Sequence, residues 1–265
     1  LAGRYKGNIM INTIWVSCAP RTGSMWTYNV TREICRITGH NVKPTDVPQS
    51  DNDMIKLAQT QAHNSDDPQD KWVLKVHKIL APNIPRSKII TTHRDPRDVL
   101  VSFQEFMKST FEAAFDFGRW VVKYTTAYKD YDPDYLFMVA YADIEQRPAY
   151  VIQQIAGFID ADISPDQADT IAAKFSRQKV KQIIERADQK MEQAKETGKI
   201  DRREVVILSE KNYRAFDLQS GFQSGHVSSR KTGDWAKVLD EAQRKLVDAE
   251  FANWLADYGY NTDES

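Results

Sequence analysis

Ile14-Trp15-Val16-Ser17-Cys18-Ala19-Pro20-Arg21-Thr22-Gly23-Ser24-Met25-Trp26 opens with an apolar run and breaks into a short turn before a helical pattern begins. A strand, a turn and a helix start in succession make a phosphate-binding geometry. Backbone N–H groups at the helix N-terminus point at the anion, and the helix dipole favours negative charge there. The turn is not a Walker A loop, because it contains no Gly-x-x-x-x-Gly-Lys-Ser/Thr. By itself the stretch also reads as an ordinary strand-to-helix turn, so the rest of the chain has to decide.

Working outward, 265 residues can bury a sizeable core and fit one domain, here expected over 1–265. The 36 basic and 37 acidic residues leave a net charge of −1, so no global field draws in nucleic acid or an anionic membrane. An anion site must therefore be local. No apolar stretch approaches the ~20 residues a membrane helix needs, and Leu1 to Lys6 lacks signal-peptide anatomy. Cys18 and Cys35 read as small core residues rather than a bridge. A cytoplasmic location is expected. A homodimer is compatible with the chain, but nothing in the sequence fixes the oligomeric state.

Periodicity gives a helix over Thr22 to Ile37, stopped by Gly39. Residues 41–71 read mostly as loop, with a short helix around Met54 to Gln61. Strands are expected at Trp72 to Ile79, Lys88 to His93 and Tyr135 to Tyr141. Asp95-Pro96 starts a helix, with Asp as N-cap and Pro at the first helical position. Helical patterns follow at Phe111 to Tyr131, Arg147 to Ile159, 165–198 and Ala236 to Tyr258. The charge-dense run after Lys179 reads as a solvated face, and 199–229 is polar and unassigned. Strands alternating with helices predict an α/β fold with a central parallel sheet flanked by helices.

The second predicted strand contains Lys75-Val76-His77. Period-2 alternation puts Lys75 and His77 on one face, near the crevice where open α/β sheets bind ligands. A lone strand histidine is usually structural. An adjacent lysine, however, depresses its pKa and keeps it neutral, as a general base requires. Arg94 ends the third predicted strand, with Ser102 eight positions on, and a guanidinium matches phosphate oxygens bidentately. The ordinary reading is an Arg on a carboxylate, with Arg97 and Asp98 as surface charges.

Pro20-Arg21-Thr22-Gly23-Ser24-Met25-Trp26 resembles the Pro-Lys-Ser-Gly-Thr-Thr-Trp loop of sulfotransferases that use 3′-phosphoadenosine 5′-phosphosulfate (PAPS). Residues 94–102, Arg-Asp-Pro-Arg-Asp-Val-Leu-Val-Ser, resemble that family's Arg-x-Pro-x-Asp-x-x-x-Ser, whose Arg and Ser hold the nucleotide 3′-phosphate. Tyr141-Ala142-Asp143-Ile144 resembles its Tyr-Glu-Asp-Met, whose Tyr lies near the adenine. Arg230-Lys231-Thr232-Gly233-Asp234-Trp235 resembles a shortened form of the Arg-Lys-Gly-x-x-Gly-x-Trp loop that folds over the 3′-phosphate. Either Arg230 fills the Arg position, or a neighbouring position does so with Ser228 in its place. Ser176 matches a nucleotide-contacting Ser, although Arg177 replaces the aromatic residue expected beside it. Four motifs in family order, spanning 14–235, imply a P-loop nucleotide-kinase-like sulfotransferase fold.

The resemblance implies transfer of a sulfuryl group from PAPS to a hydroxyl or amine of a small-molecule acceptor, releasing 3′-phosphoadenosine 5′-phosphate (PAP). By analogy with phosphoryl transfer this is an in-line displacement driven by positioning and charge. His77 would take the acceptor's proton. Lys75, Arg21 and the backbone of Thr22, Gly23, Ser24, Met25 and Trp26 would stabilise the leaving phosphate, with Trp26 as adenine platform. Arg94, Ser102, Tyr141, Arg230 and Lys231 complete the nucleotide site. No metal is expected, and His40, His63, His77, His93 and His226 are scattered. Two substitutions depart from the family. Arg21 cannot hand over a proton as the usual Lys could, and Met25 lacks the hydroxyl of the usual Thr.

Two other readings stay open in the sequence. One is a P-loop kinase or phosphotransferase, which would need ATP and Mg²⁺ but lacks the Ser/Thr that ligates the metal. The other is a degenerate nucleotide-binding protein without turnover. The acceptor would be set by 41–71, 103–118 and 199–229, where Phe103, Phe106, Phe111, Phe115, Phe216 and Phe222 mix with polar residues.

Overall fold

Strand β1 (Thr13–Ser17) is buried at every position, because parallel neighbours and covering helices leave it no face for water. It lies between β3 (Asp70–Val76) and β4 (Ser87–His93), with Trp15 opposite Leu74 on one side and Ile89 on the other. With β2 (Asn41–Lys43) and β5 (Leu136–Ala140) the sheet order is β2-β3-β1-β4-β5, all parallel. This is the expected α/β architecture. The computed structural model describes residues 11–62, 64–209 and 212–260. The expectations drawn from Leu1 to Lys6 and from His63 lie outside them.

From β1 the chain moves to one side of the sheet for β2 and β3, then to the other for β4 and β5. The reversal opens a crevice beyond the carboxyl ends of the central strands. Helix α1 (Ser24–Ile37) starts there, after a turn with Arg21 at φ 68° and Gly23 at φ 101°. Gly23 answers two demands. Its backbone is left-handed, and a Cβ would sit 3.0 Å from both Ile144 and Tyr141. Helix α3 (Pro96–Met107) leaves β4 as the sequence predicts, with the Asp95 carboxylate accepting the Arg97 N–H.

Several boundaries differ from expectation for physical reasons. Strand β3 ends at Val76 rather than Ile79, because the Lys78 carbonyl turns aside to accept from the Ser17 hydroxyl at 2.7 Å. The polar loop 41–71 contains the unexpected edge strand β2 and helix α2 (Asp51–Leu57), which runs into a π-helical turn at Ala58–Ala62. The helical stretch 165–198 is two helices, α7 (Pro165–Lys174) and α8 (Arg177–Thr197), divided where the Ser176 side chain caps α8. The last helix is likewise split into α9 (Trp235–Val238) and α10 (Glu241–Asp257), with a capping box from Asp240 to Gln243. The unassigned 199–229 holds an antiparallel hairpin of β6 (Val205–Ser209) and β7 (Asn212–Ala215). Helices α4 (Phe111–Thr126), α5 (Tyr141–Gln146) and α6 (Pro148–Phe158) complete the set, α5 being unforeseen.

Arg97 and Asp98 are not surface charges. Arg97, 3% exposed, pairs with Asp95 and Asp248 and lies 4.1 Å over the Trp235 ring, tying α3 to α9 and α10. Asp98 accepts the Gly233 N–H at 3.1 Å. Fully buried Arg32 on α1 donates to the carbonyls of Gln219 (2.6 Å), Pro44 (2.8 Å) and Thr45 (3.1 Å), joining two loops far apart in sequence.

Gly23→Ala should therefore destabilise the protein more than Gly39→Ala. Both glycines have positive φ, but nothing lies within 4 Å of a Cβ at Gly39. The backbone alone costs roughly 1–2 kcal/mol at each, and the crowding adds to it only at Gly23. Urea midpoints compare them, and equal losses would show that the space around Gly23 is not limiting.

Candidate active site

A cavity of ≈ 600 Å³ occupies the crevice. The β1–α1 turn supplies its floor through Pro20, Arg21, Gly23, Ser24, Met25 and Trp26. Lys75 and His77 enter from the end of β3, and Arg94, Ser102 and Phe106 from the β4–α3 unit. Tyr141 on α5, the α7–α8 junction at Phe175, Ser176 and Arg177, the segment at 47–51 and the loop at 216–230 line the remaining sides.

Alternation along β3 brings Lys75 and His77 together, with Nζ 3.1 Å from Nε2. The other ring nitrogen, Nδ1, lies 2.7 Å from the Cys18 carbonyl. A carbonyl only accepts, so the neutral ring carries its proton on Nδ1 and its lone pair on Nε2. The Asp51 carboxylate accepts the His77 backbone N–H at 2.8 Å. His77's pKa is lowered to about 3, by burial first and by Lys75 second. The sequence reading named only the lysine. Burial also lowers Lys75, against the pull of Asp51.

Arg94 is 7% exposed, stacks 4.2 Å over the Tyr141 ring and donates to the Arg21 carbonyl at 3.2 Å. Its Nε is buried without a partner. Arg21 turns across the cavity, donating Nε–H to Ser102 Oγ at 3.0 Å and lying 4.5 Å over the Phe106 ring. Burial and then the nearby Arg94 lower Arg21 to about 10, which still leaves it charged at neutral pH. Lys75, Arg21, Arg94, Arg177 and Arg230 thus face a cavity whose lining carboxylates are Asp51 and Glu145. Such an excess suits a multiply charged anion.

Two of the expected binding residues do not present side chains to it. Thr22 is buried, its hydroxyl donating to the Ala19 carbonyl at 2.6 Å and meeting Thr92 Oγ at 2.6 Å. Lys231 is exposed and does not line the cavity, while Arg230 and Ser228 do. The shortened loop is held by carboxylates: Glu105 on Ser228 and Ser229, Glu145 on Thr232 and Asp98 on Gly233. Arg177 donates to the carbonyls of Ser228 and of Arg230, the latter at 2.9 Å.

Asp51, Glu105, Gln223 and His226 escaped the sequence reading as site residues. Only Glu105 left a signal, one helical turn beyond Ser102. The histidines are less scattered than they look, since His226 joins His77 at the cavity and stacks on Phe106 with centroids 5.7 Å apart. Among the described residues no group of three or more His, Cys, Asp or Glu could hold a metal.

Burial keeps three histidines neutral: His77 at about 3, His93 at about 4 and His226 well below its ordinary value. The unfolded chain protonates each near pH 6.5 and the folded chain does not, so stability falls as the pH drops below 6.5. The slope is roughly 1 kcal/mol per pH unit for each such histidine. Asp98, raised to about 6 mainly by burial, opposes this with one proton taken up on the folded side. Three outweigh one. Urea midpoints should fall between pH 7 and pH 5, and fall less in His93→Gln. A midpoint that holds or rises would contradict the assignment.

A family model for the sulfotransferase domain matches residues 12–259. Among solved structures, retinol dehydratase in complex with androsterone and PAP shares 17% identity. That alignment covers 97% of this chain and 84% of that one, with a TM-score of 0.57. Mouse sulfotransferase SULT7A1 complexed with PAP shares 14% identity over 92% of this chain and 84% of that one, with a TM-score of 0.59. No curated protein sequence matches. At these identities the structures establish the fold, and the family match establishes membership: the chain belongs to the sulfotransferase family, whose reaction is sulfuryl transfer from PAPS to an acceptor.

Proposed function

We propose that this chain, as one domain over 1–265 in the cytoplasm, transfers the sulfuryl group to a hydroxyl of a small amphipathic acceptor, with His77 as general base. The observation that carries the reading is the set of cations converging on one cavity beside a neutral histidine. Two buried, unpaired cysteines suit a reducing compartment. Among the described residues no helix is long and apolar enough to cross a membrane.

The residues present fit PAPS. The Nε of Arg94 is a buried donor at the cavity without a partner, and the Nε of Arg230 makes no hydrogen bond, as a phosphate dianion requires. Arg94, Ser102 and Arg230 would hold the 3′-phosphate, Tyr141 and Trp26 the adenine, and the N–H groups of the turn 22–26 the 5′-phosphate. When bound, PAPS supplies the activated sulfuryl group and an anionic leaving group. His77 Nε2 takes the acceptor's proton only when Lys75 releases it. The ammonium that now donates to that lone pair would turn toward the leaving phosphate. Arg21 adds charge and two-point geometry without giving up a proton.

Calorimetric titration with PAP, with ADP plus Mg²⁺ in parallel and Arg94→Ala as control, tests the assignment. Micromolar, metal-independent binding that needs Arg94 is expected, and preference for the Mg²⁺ nucleotide would overturn it. In turnover, His77→Ala should lose about 10²- to 10⁴-fold in kcat. Arg21→Lys should retain much of the activity that Arg21→Ala loses. Full turnover by either alanine variant would remove that residue from the mechanism.

A further inference from the structure

Glu105 is a carboxylate placed among groups that otherwise suit an anion. On α3 it stands one turn beyond Ser102, so both project from one helix face. It accepts from the Ser228 hydroxyl, from the Ser229 hydroxyl at 2.7 Å and from the Ser229 N–H at 3.1 Å. Arg230 Nε forms an ion pair with the Glu105 carboxylate at 3.8 Å, too long for a hydrogen bond. Arg21, held on Ser102, also lies within reach of the Glu105 charge. Ser228 and Arg230 line the cavity, while Glu105 stands behind them.

We propose that Glu105 is a built-in competitor of the nucleotide 3′-phosphate for the Ser228 hydroxyl and the Arg230 guanidinium, the two groups of the 228–230 loop that face the cavity. The inference rests on the PAPS reading of the cavity. A carboxylate and a phosphate draw on the same hydroxyl and guanidinium donors and repel each other, so occupancy by one weakens the other. Glu105 therefore lowers affinity for nucleotides that carry a 3′-phosphate and speeds release of PAP. It acts through the loop and is a positioning residue. Its effect has a chemical signature, because a nucleotide without the 3′-phosphate gains nothing when Glu105 is neutralised.

The test compares PAP with adenosine 5′-phosphate in calorimetric titrations of wild type, Glu105→Gln and Ser229→Ala. Ser229 is exposed and does not line the cavity, so its variant loosens the contact from the loop side without touching the lining. PAP should bind up to about fivefold more tightly to Glu105→Gln, as loss of one partly exposed charge contact allows, and by a smaller factor more tightly to Ser229→Ala, while adenosine 5′-phosphate changes less than twofold. PAP affinity that is unchanged or weaker in both would make Glu105 a plain loop anchor and overturn the proposal. An equal gain for both nucleotides would do the same. Failure of wild type to bind PAP would instead refute the PAPS reading, so the two failures are distinct.

Discussion

Like charges held together away from water are the constraint on which the rest of the structure depends. Lys75, Arg21 and Arg94 share one cavity, and burial pulls Lys75 and Arg21 below their ordinary pKa values. Left to themselves such groups would separate or deprotonate. Here each is held by something that does not neutralise it. Tyr141 offers a ring face to Arg94 and Phe106 one to Arg21, Ser102 accepts from Arg21, and the His77 lone pair accepts from Lys75. The arrangement gathers basic side chains around one space and leaves the Arg94 Nε unpartnered, which favours binding of an anion.

That arrangement needs a stiff frame, and the frame is built from buried polar groups. Ser17, Tyr124 and Tyr128 share hydrogen bonds of 2.6–2.7 Å, and with the Lys78 carbonyl and the Leu80 N–H they fix the chain just after His77. Arg32 fixes the loops at 44–45 and 219 through three carbonyls. Arg97 fixes α3, and with it Ser102, against the C-terminal helices. In each case removing one partner would strand buried polar atoms, so the networks specify one geometry rather than merely adding stability.

The legible parts of this molecule are those whose determinants lie close together in sequence. The β1 run, the turn at Gly23, the Asp95-Pro96 cap and the Lys75–His77 alternation each depend on neighbours within a few residues, and strand, helix and shared face follow. Edge strand β2 was hidden because three residues, Asn41-Val42-Lys43, are too few to carry a periodic signal; its partner, Asp70 to Trp72, supplies the order. The break at Ser176 was hidden because a serine inside a helical pattern becomes a cap only if the chain turns there. Asp51 and Glu105 were hidden for a related reason. Their partners, His77 and Ser228, lie 26 and 123 positions away. The motif comparison carried both Arg230 and Lys231 into the site, and of the two only Arg230 lines the cavity.

The choice of acceptor illustrates how distance in sequence becomes specificity. Val47, Phe106, Phe216, Phe222 and His226 come from three separate segments and all line the cavity, His226 lying against Phe106 and Phe222. Arg32 couples two of those segments by binding 44–45 and 219 at once. His226 is neutral there, through burial first and through the nearby charges of Arg21, Lys75 and Arg214 second. The same charges act on whatever occupies the space. An amine acceptor is a cation near neutral pH, so it would meet the repulsion from Arg21, Lys75 and Arg214 that adds to burial at His226. Asp51, already accepting from the His77 backbone, is the lining carboxylate beside that pair. A hydroxyl carries no such charge and can still donate its proton to His77 Nε2. A field that suits an anionic donor disfavours a cationic acceptor, which accords with the hydroxyl acceptor proposed above.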